Sequence, residues 1–225
     1  MSVVTNAVTN GVIGILGGTF DPVHFGHLRL AQEVAEALDL QQVRFMPGGT
    51  PPHREMPKTP AADRVAMVSL AIKNNALFAL DERETRRTGP SYSFDTLYEV
   101  RAEIGPARPL VLIMGADAFL AFNLWHRWRD IFSLAHIAVA HRPGAALAAI
   151  KDESLASEFA QRRADETQAL RRTPAGSIVV VPITALDISA TAIRTAVRAG
   201  RSTRYLLPNT VIAYIESKHL FLKEK

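Results

Sequence analysis

The chain has 225 residues, 48% of them hydrophobic and 21% charged, with no cysteine and a formal net charge of +4. That composition supports a buried core and excludes wholesale disorder, disulfides, thiolate zinc sites and cysteine nucleophiles. So small a basic excess suits a phosphate-rich small substrate at least as well as nucleic acid.

The opening MSVVTNAVTNGV has no basic n-region and no cleavage-like apolar core, and no apolar run reaches membrane-spanning length. Neither a signal peptide nor a membrane span is expected, and a cytoplasmic location fits the missing cysteines. VIGIL (12–16) is an apolar run stopped by Gly17-Gly18, the pattern of a buried parallel strand. From Gly26, Leu28, Ala31, Val34, Ala35 and Leu38 recur at helical spacing. QVRFMP (42–47) predicts a second strand, residues 61–74 a helix with Val65, Val68 and Ile72 on one side, and LFALDE (77–82) a third strand. Residues 93–105 predict a helix with Ser93 as its cap and Gly105 as its stop. PLVLIMG (109–115) is a strongly apolar strand, RWRDIFSLA a helix, and HIAVAHRPG (136–144) another strand with a stop. Residues 145–172 hold no strand and read as mixed-charge helix, a solvated excursion. SIVVVPI (177–183) is followed by helices from Ser189 and from Pro208.

Strands alternating with helices predict the α/β class, a doubly wound parallel sheet covered on both faces. Ligands of such sheets lie beyond the carboxyl ends of the strands, at the switch point. Gly17, Gly115 and the Arg142-Pro143 turn all occupy predicted strand ends.

The stretch GGTFDPVHFGH (17–27) joins strand to helix. A Gly-Gly turn there lets a ligand approach the backbone, and free N–H groups at a helix start favour an anion. A plain tight turn is the alternative, and the spacing matches neither GxGxxG nor a Walker loop. His24 and His27 stand one turn apart, able to face the same side. Zinc would need a third ligand, and there is no HExxH and no carboxylate cluster beyond Asp21. Donation to phosphate oxygens, placing charge where a leaving phosphate develops it, is the better reading. ISATAIR (188–194) repeats the logic, with Ser189 as cap, Thr191 in the first turn and Arg194 one turn on; a capped surface helix is the alternative. ERETRR (82–87) is short, partly acidic and free of aromatics, so it reads as a solvated connection rather than a nucleic-acid patch.

Taken together, GGTFDPVHFGH and ISATAIR resemble the (H/T)xGH nucleotidyltransferase superfamily and, within it, the bacterial nicotinate-nucleotide adenylyltransferases. PGGTPPHR (47–54), LDERETRRTGPSYSFDTL (80–97), IMGADAF (113–119), LWHRW (124–128), AHRPG (140–144) and YLLPNTVIAYI (205–215) resemble that branch's blocks in order. The resemblance implies a Rossmann-like nucleotidyltransferase domain over 11–186, interrupted by 145–172, and a C-terminal helical part, 187–225, that completes the ATP site. It implies transfer of AMP from ATP to nicotinate mononucleotide, with Mg²⁺ carried on the ATP phosphates and no protein metal site. Gly18, Thr19 and Phe20 would line both nucleotides with their backbone, with Gly17 beside ATP. His24, His27 and Arg194 would be catalytic, and His53 would close over the phosphates. Gly115 and Asp117 would lie near the adenylyl group, and Ile188, Ser189 and Thr191 would complete the ATP site. Arg142 would reach the acceptor's phosphate. Trp125 would offer a flat face to the pyridine, with donors around Ser93 and His126 reading its carboxylate and Tyr92 beside them. The family typically has a tyrosine after the tryptophan, and His126 departs from it.

Sister readings are an adenylyltransferase for nicotinamide mononucleotide or phosphopantetheine; GPSYSFDTL and Trp125 favour the pyridine carboxylate. A nucleotide sensor without turnover would not need the His24/His27 pair and Ser189–Arg194 together. An RNA-binding synthetase fragment lacks its KMSKS-type loop. No nucleic-acid or membrane partner is expected, and a homodimer is left open.

Overall fold

The computed structural model describes residues 11–50, 57–141, 150–165 and 168–222. Six strands form one all-parallel sheet: β1 (Ile13–Gly18), β2 (Gln42–Pro47), β3 (Phe78–Leu80), β4 (Leu110–Gly115), β5 (His136–His141) and β6 (Ile178–Pro182). Their spatial order is β3-β2-β1-β4-β5-β6, so the chain winds outward one way and then returns to the other side of β1. The switch point lies between β1 and β4, and the doubly wound expectation holds.

The strands read as unbroken apolar runs because both faces are covered. Within each run the side chains still alternate. Leu16, Val111, Ile113, Ala138 and Ala140 enter one core, while Ile13, Ile15, Leu112, Met114, Ile137 and Val139 enter the other. The first core is closed by α1 (Phe25–Ala37), α2 (Ala61–Ile72), α9 (Ala190–Arg198) and α10 (Asn209–Ser217), through residues such as Val34, Met67, Ile193 and Val211. The second is closed by α4 (Ser93–Ile104), α5 (Ala116–Leu120), α6 (Trp128–Ile131) and α7 (Glu153–Arg162), through Leu97, Phe119, Ile131 and Leu155. Single turns of helix, α3 (Arg83–Arg86) and α8 (Ala169–Arg172), complete the layers. Among the described residues no helix is long and apolar enough to cross a membrane.

Three expectations need correction. In α2 the buried stripe is Arg64, Met67, Val68 and Ile72, and Val65 is only half-buried. The helix is rotated so that an arginine, not a valine, starts the inward face. Within 145–172, the described part is not a solvated excursion. It is the β5–β6 crossover, anchored by fully buried Leu155 and Leu170, by Phe159 against Phe119 and by the Ala164 N–H donating to the Ile178 carbonyl at 2.8 Å. Charged residues dominate the segment, but a few apolar anchors suffice to dock a short amphipathic helix. The third concerns Ser93: Tyr92 is the cap of α4, and Ser93 is its first helical residue, with no side-chain capping bond.

Candidate active site

β1 delivers the chain to the sheet's carboxyl edge at Gly17-Gly18. A Cβ built on Gly17 meets nothing within 4 Å, and the same holds for Gly115 at the end of neighbouring β4. Both glycines therefore keep open space beside the switch point. A Cβ on Gly18 would crowd the Phe20 ring at 3.0–3.3 Å, because that ring folds back beneath the turn. Phe20 is left-handed (φ 49°) and 1% exposed, packed on Phe45 and edge-on to His27 at 5.0 Å. Its side chain belongs to the core, so only its backbone is free to serve a ligand. Thr19 beside it is exposed.

His24 caps α1 and His27 lies in its first turn. The two rings stack, with centroids 3.8 Å apart and 27° between planes. The His24 backbone N–H donates to His27 Nδ1 at 3.3 Å, which leaves the His27 proton on Nε2 as an outward donor. His24 is 6% exposed, and its Nδ1 is buried with no protein partner. Burial lowers the His24 pKa to about 4; burial and the neighbouring His24 lower that of His27 to about 3. Near neutral pH both rings are uncharged, so the pair offers N–H donors rather than the fixed charge expected from the sequence. His136 provides the contrast: it is fully buried, yet Nδ1 accepts from the Ser177 N–H and Nε2 lies 2.9 Å from the Thr173 carbonyl. That is a satisfied core histidine; His24 is not.

The ISATAIR segment is brought onto this turn. Glu33 of α1 accepts from the Thr184 N–H and hydroxyl, both at 2.6 Å, and so draws the connection after β6 against α1. The Ile188 carbonyl then lies 3.6 Å from where a Gly26 Cβ would stand, and the His24 ring lies 3.0 Å from the same point. Ser189 caps α9 as expected, accepting from the Ala192 N–H at 3.2 Å. Arg194 donates to the Asp21 carbonyl at 2.6 Å and to Thr191 Oγ1 at 3.1 Å. Two motifs more than 150 residues apart thus form one wall.

Toward the acceptor side, the Tyr92 and His126 rings lie 4.4 Å apart, joining the start of α4 to the loop after α5. The Thr96 N–H bonds back to the Tyr92 carbonyl, so the N–H groups of Ser93, Phe94 and Asp95 form the open first turn. Trp125 is half-buried and edge-on to Phe122 at 5.4 Å. Asp117 is exposed in the first turn of α5, directly after Gly115. His53 and Arg142 lie outside the described residues.

Two residues here escaped the sequence reading. Arg64 of α2 is 2% exposed and donates to the Thr19 carbonyl at 2.8 Å. Its place at the head of an apolar stripe was the only signal. ERETRR is not a solvated connection. Arg83 bridges Asp81 and Glu103, at 2.7 and 2.6 Å, and the carboxylate of Glu84 accepts from Thr96 at 2.8 Å. Burial raises the Glu84 pKa. A Cβ on Gly49 would strike the Glu84 carbonyl at 2.1 Å, so β2's glycine turn and α3 are in close backbone contact. Among the described residues no three His, Asp or Glu side chains converge to hold a metal ion.

The chain is of the cytidylyltransferase-like class: the model of that family, described as "Cytidylyltransferase-like", matches residues 15–196, across the parallel sheet and both helix starts beside its switch point. Relatives named probable nicotinate-nucleotide adenylyltransferase are 51% identical over 211 residues in Dechloromonas aromatica (93% of this chain, 97% of the relative) and 49% identical over 199 residues in Halorhodospira halophila (88% and 90%). The chain belongs to the nicotinate-nucleotide adenylyltransferase family. The Plasmodium falciparum nicotinic acid mononucleotide adenylyltransferase complexed with NaAD shares the fold at a TM-score of 0.70 and 15% identity, over 94% of this chain and 97% of that one.

Proposed function

We propose that this chain transfers AMP from ATP to nicotinate mononucleotide, releasing pyrophosphate and forming deamido-NAD. The observation that carries the reading is the meeting of the two motifs, with His24 and Ile188 both converging on Gly26 and Arg194 bound to Asp21. An oxygen of the acceptor's phosphate attacks the α-phosphorus of ATP. The bond to the bridging oxygen breaks, and its electron pair leaves with pyrophosphate. No covalent enzyme intermediate is needed, so the protein's task is positioning and charge stabilisation.

In this reading Gly17, Gly18, Thr19 and Phe20 offer backbone to the nucleotides, and the open space at Gly17 and Gly115 admits them. His27 Nε2–H and His24 serve the ATP phosphates, with Arg194, Ser189 and Thr191 completing that wall. Gly115 and Asp117 flank the adenylyl group. Mg²⁺ would be brought in by the ATP phosphates, whose charge it would offset. At the acceptor end the open first turn of α4, at Ser93, and the Tyr92–His126 pair read the pyridine carboxylate, beside the face of Trp125. The same reading places the reaction in the cytoplasm.

The test is pyrophosphate release from ATP and Mg²⁺ with either nicotinate or nicotinamide mononucleotide. A carboxamide turns an NH₂ toward one donor and loses a charge-assisted bond, so kcat/KM should favour the nicotinate form by about 10²-fold. No pyrophosphate with either acceptor would overturn the reading. Comparable rates would overturn its carboxylate-reading part.

A further inference from the structure

The turn from Gly18 to Asp21 has three of its four carbonyls tied down. The Gly48 N–H takes the Gly18 carbonyl at 2.8 Å, Arg64 Nη1 the Thr19 carbonyl at 2.8 Å and Arg194 Nη1 the Asp21 carbonyl at 2.6 Å. Between the two arginine-held carbonyls sits Phe20, a non-glycine residue in the left-handed region (φ 49°). Such a conformation persists only where its surroundings over-determine it. The three anchors do so, and they also consume the negative ends of the turn's peptides. In a planar trans peptide the N–H points opposite to its C=O. Pinning the Thr19 carbonyl on Arg64 therefore fixes the direction of the Phe20 N–H.

Arg64 is an expensive way to hold one carbonyl. It is 2% exposed, its Nε is buried with no hydrogen-bond partner, and its burial outweighs the attraction of the nearby Asp21 carboxylate, so that its pKa is lowered. A buried cation whose charge is only partly balanced is costly, and an apolar residue of similar volume would satisfy α2's inward stripe better. Packing does not account for it; the carbonyl it holds does.

We propose that Arg64 is a positioning residue for nucleotidyl transfer, which, with Arg194, locks the Phe20 turn so that its N–H groups, not its carbonyls, meet the nucleotide phosphates. The inference rests on the adenylyltransferase reading above.

The test compares wild type, Arg64→Met and Arg64→Lys for kcat, the KM of each substrate and thermal stability. Methionine fills much of the volume and removes the buried charge, so the folded variant should match or exceed wild-type stability. Its kcat should fall by about 10²-fold, the order set by a misplaced positioning group, with a much smaller change in acceptor KM. Lysine, which retains one cationic donor, should recover most of that loss. A folded Arg64→Met with wild-type kcat would overturn the proposal. Should that variant not fold, the cycle of Arg64→Lys with Arg194→Lys decides: two residues acting on one turn give a double variant less impaired than the product of the singles, and strict additivity in log kcat would overturn it. An inactive wild type would sink the adenylyltransferase reading itself, whereas an active wild type with an equally active Arg64→Met sinks this inference alone.

Discussion

His24 and His27 lie face to face, their ring centroids 3.8 Å apart, at the entrance of a helix whose first turn is aimed at the sheet's switch point. Burial disfavours protonation of both rings, and the close His24 ring adds to the effect at His27. What they present is a neutral donor, His27 Nε2–H, held in that tautomer by the backbone N–H of His24.

Replacing His27 by alanine removes that donor. Turnover should fall by roughly 10²–10³-fold, the loss typical of one donor at a developing oxyanion. The KM for nicotinate mononucleotide should change little, because in the proposed reading the donor serves the phosphates of the other substrate. Steady-state kinetics on the folded variant checks this, and near-wild-type turnover would contradict it.

The same pair sets a pH dependence of stability. Both folded-state pKa values, about 4 and about 3, lie below the ordinary 6.5. As pH falls through 6.5 the unfolded chain takes up protons that the folded chain refuses, so stability is full above 6.5 and declines toward pH 4. For His24 alone the loss by pH 4 is on the order of 3 kcal/mol. Urea unfolding of wild type and of the His24→Gln/His27→Gln double variant at pH 7.5, 6 and 5 should show a shallower decline in the variant. Parallel declines would assign the acid sensitivity to other groups.

Three glycines separate ligand space from protein space. Gly17→Ala and Gly115→Ala add a methyl group where nothing lies within 4 Å. Each should leave stability unchanged or raise it by about 0.4–1 kcal/mol through the unfolded chain, while raising the KM for ATP. Gly49→Ala adds the same methyl 2.1 Å from the Glu84 carbonyl. It should cost on the order of 3 kcal/mol of stability by overpacking. Thermal melts and ATP titrations on the three variants give this pattern or refute it.

Trp125 packs at the margin of the second core, edge-on to Phe122 at 5.4 Å, and remains half-buried. If its face serves the pyridine, Trp125→Ala should raise the acceptor's KM by the equivalent of about 0.5–1.5 kcal/mol beyond lost contact area and leave the KM for ATP alone. Equal damage to both would mean the indole mainly supports Phe122.

Much of this molecule was legible from local pattern. β2 runs Gln42–Pro47, as its apolar run between turn residues indicated, and α9 starts after Ser189 because a serine hydroxyl there satisfies a first-turn N–H. Such signals depend on residues within a few positions of one another, so sequence alone fixes them. Arg64 was not legible in the same way: in a string of letters an arginine beside valines reads as the solvent side of a helix, and only the rotation of α2 where it packs on β2 and β3 shows it turned inward to Thr19. Nor could spacing show that ERETRR is knit to α4 through Glu84 and Thr96, or that Leu155 and Leu170 anchor a charged crossover. The neutral state of the histidine pair comes from burial that distant chain provides. The sequence determined which residues stand at the two helix starts, His24 and His27 at one and Ser189 and Thr191 at the other. That Ile188 closes on Gly26, and Arg194 on Asp21, was decided by the sheet order, which returns β4 beside β1 and lets the end of the chain pack over its beginning.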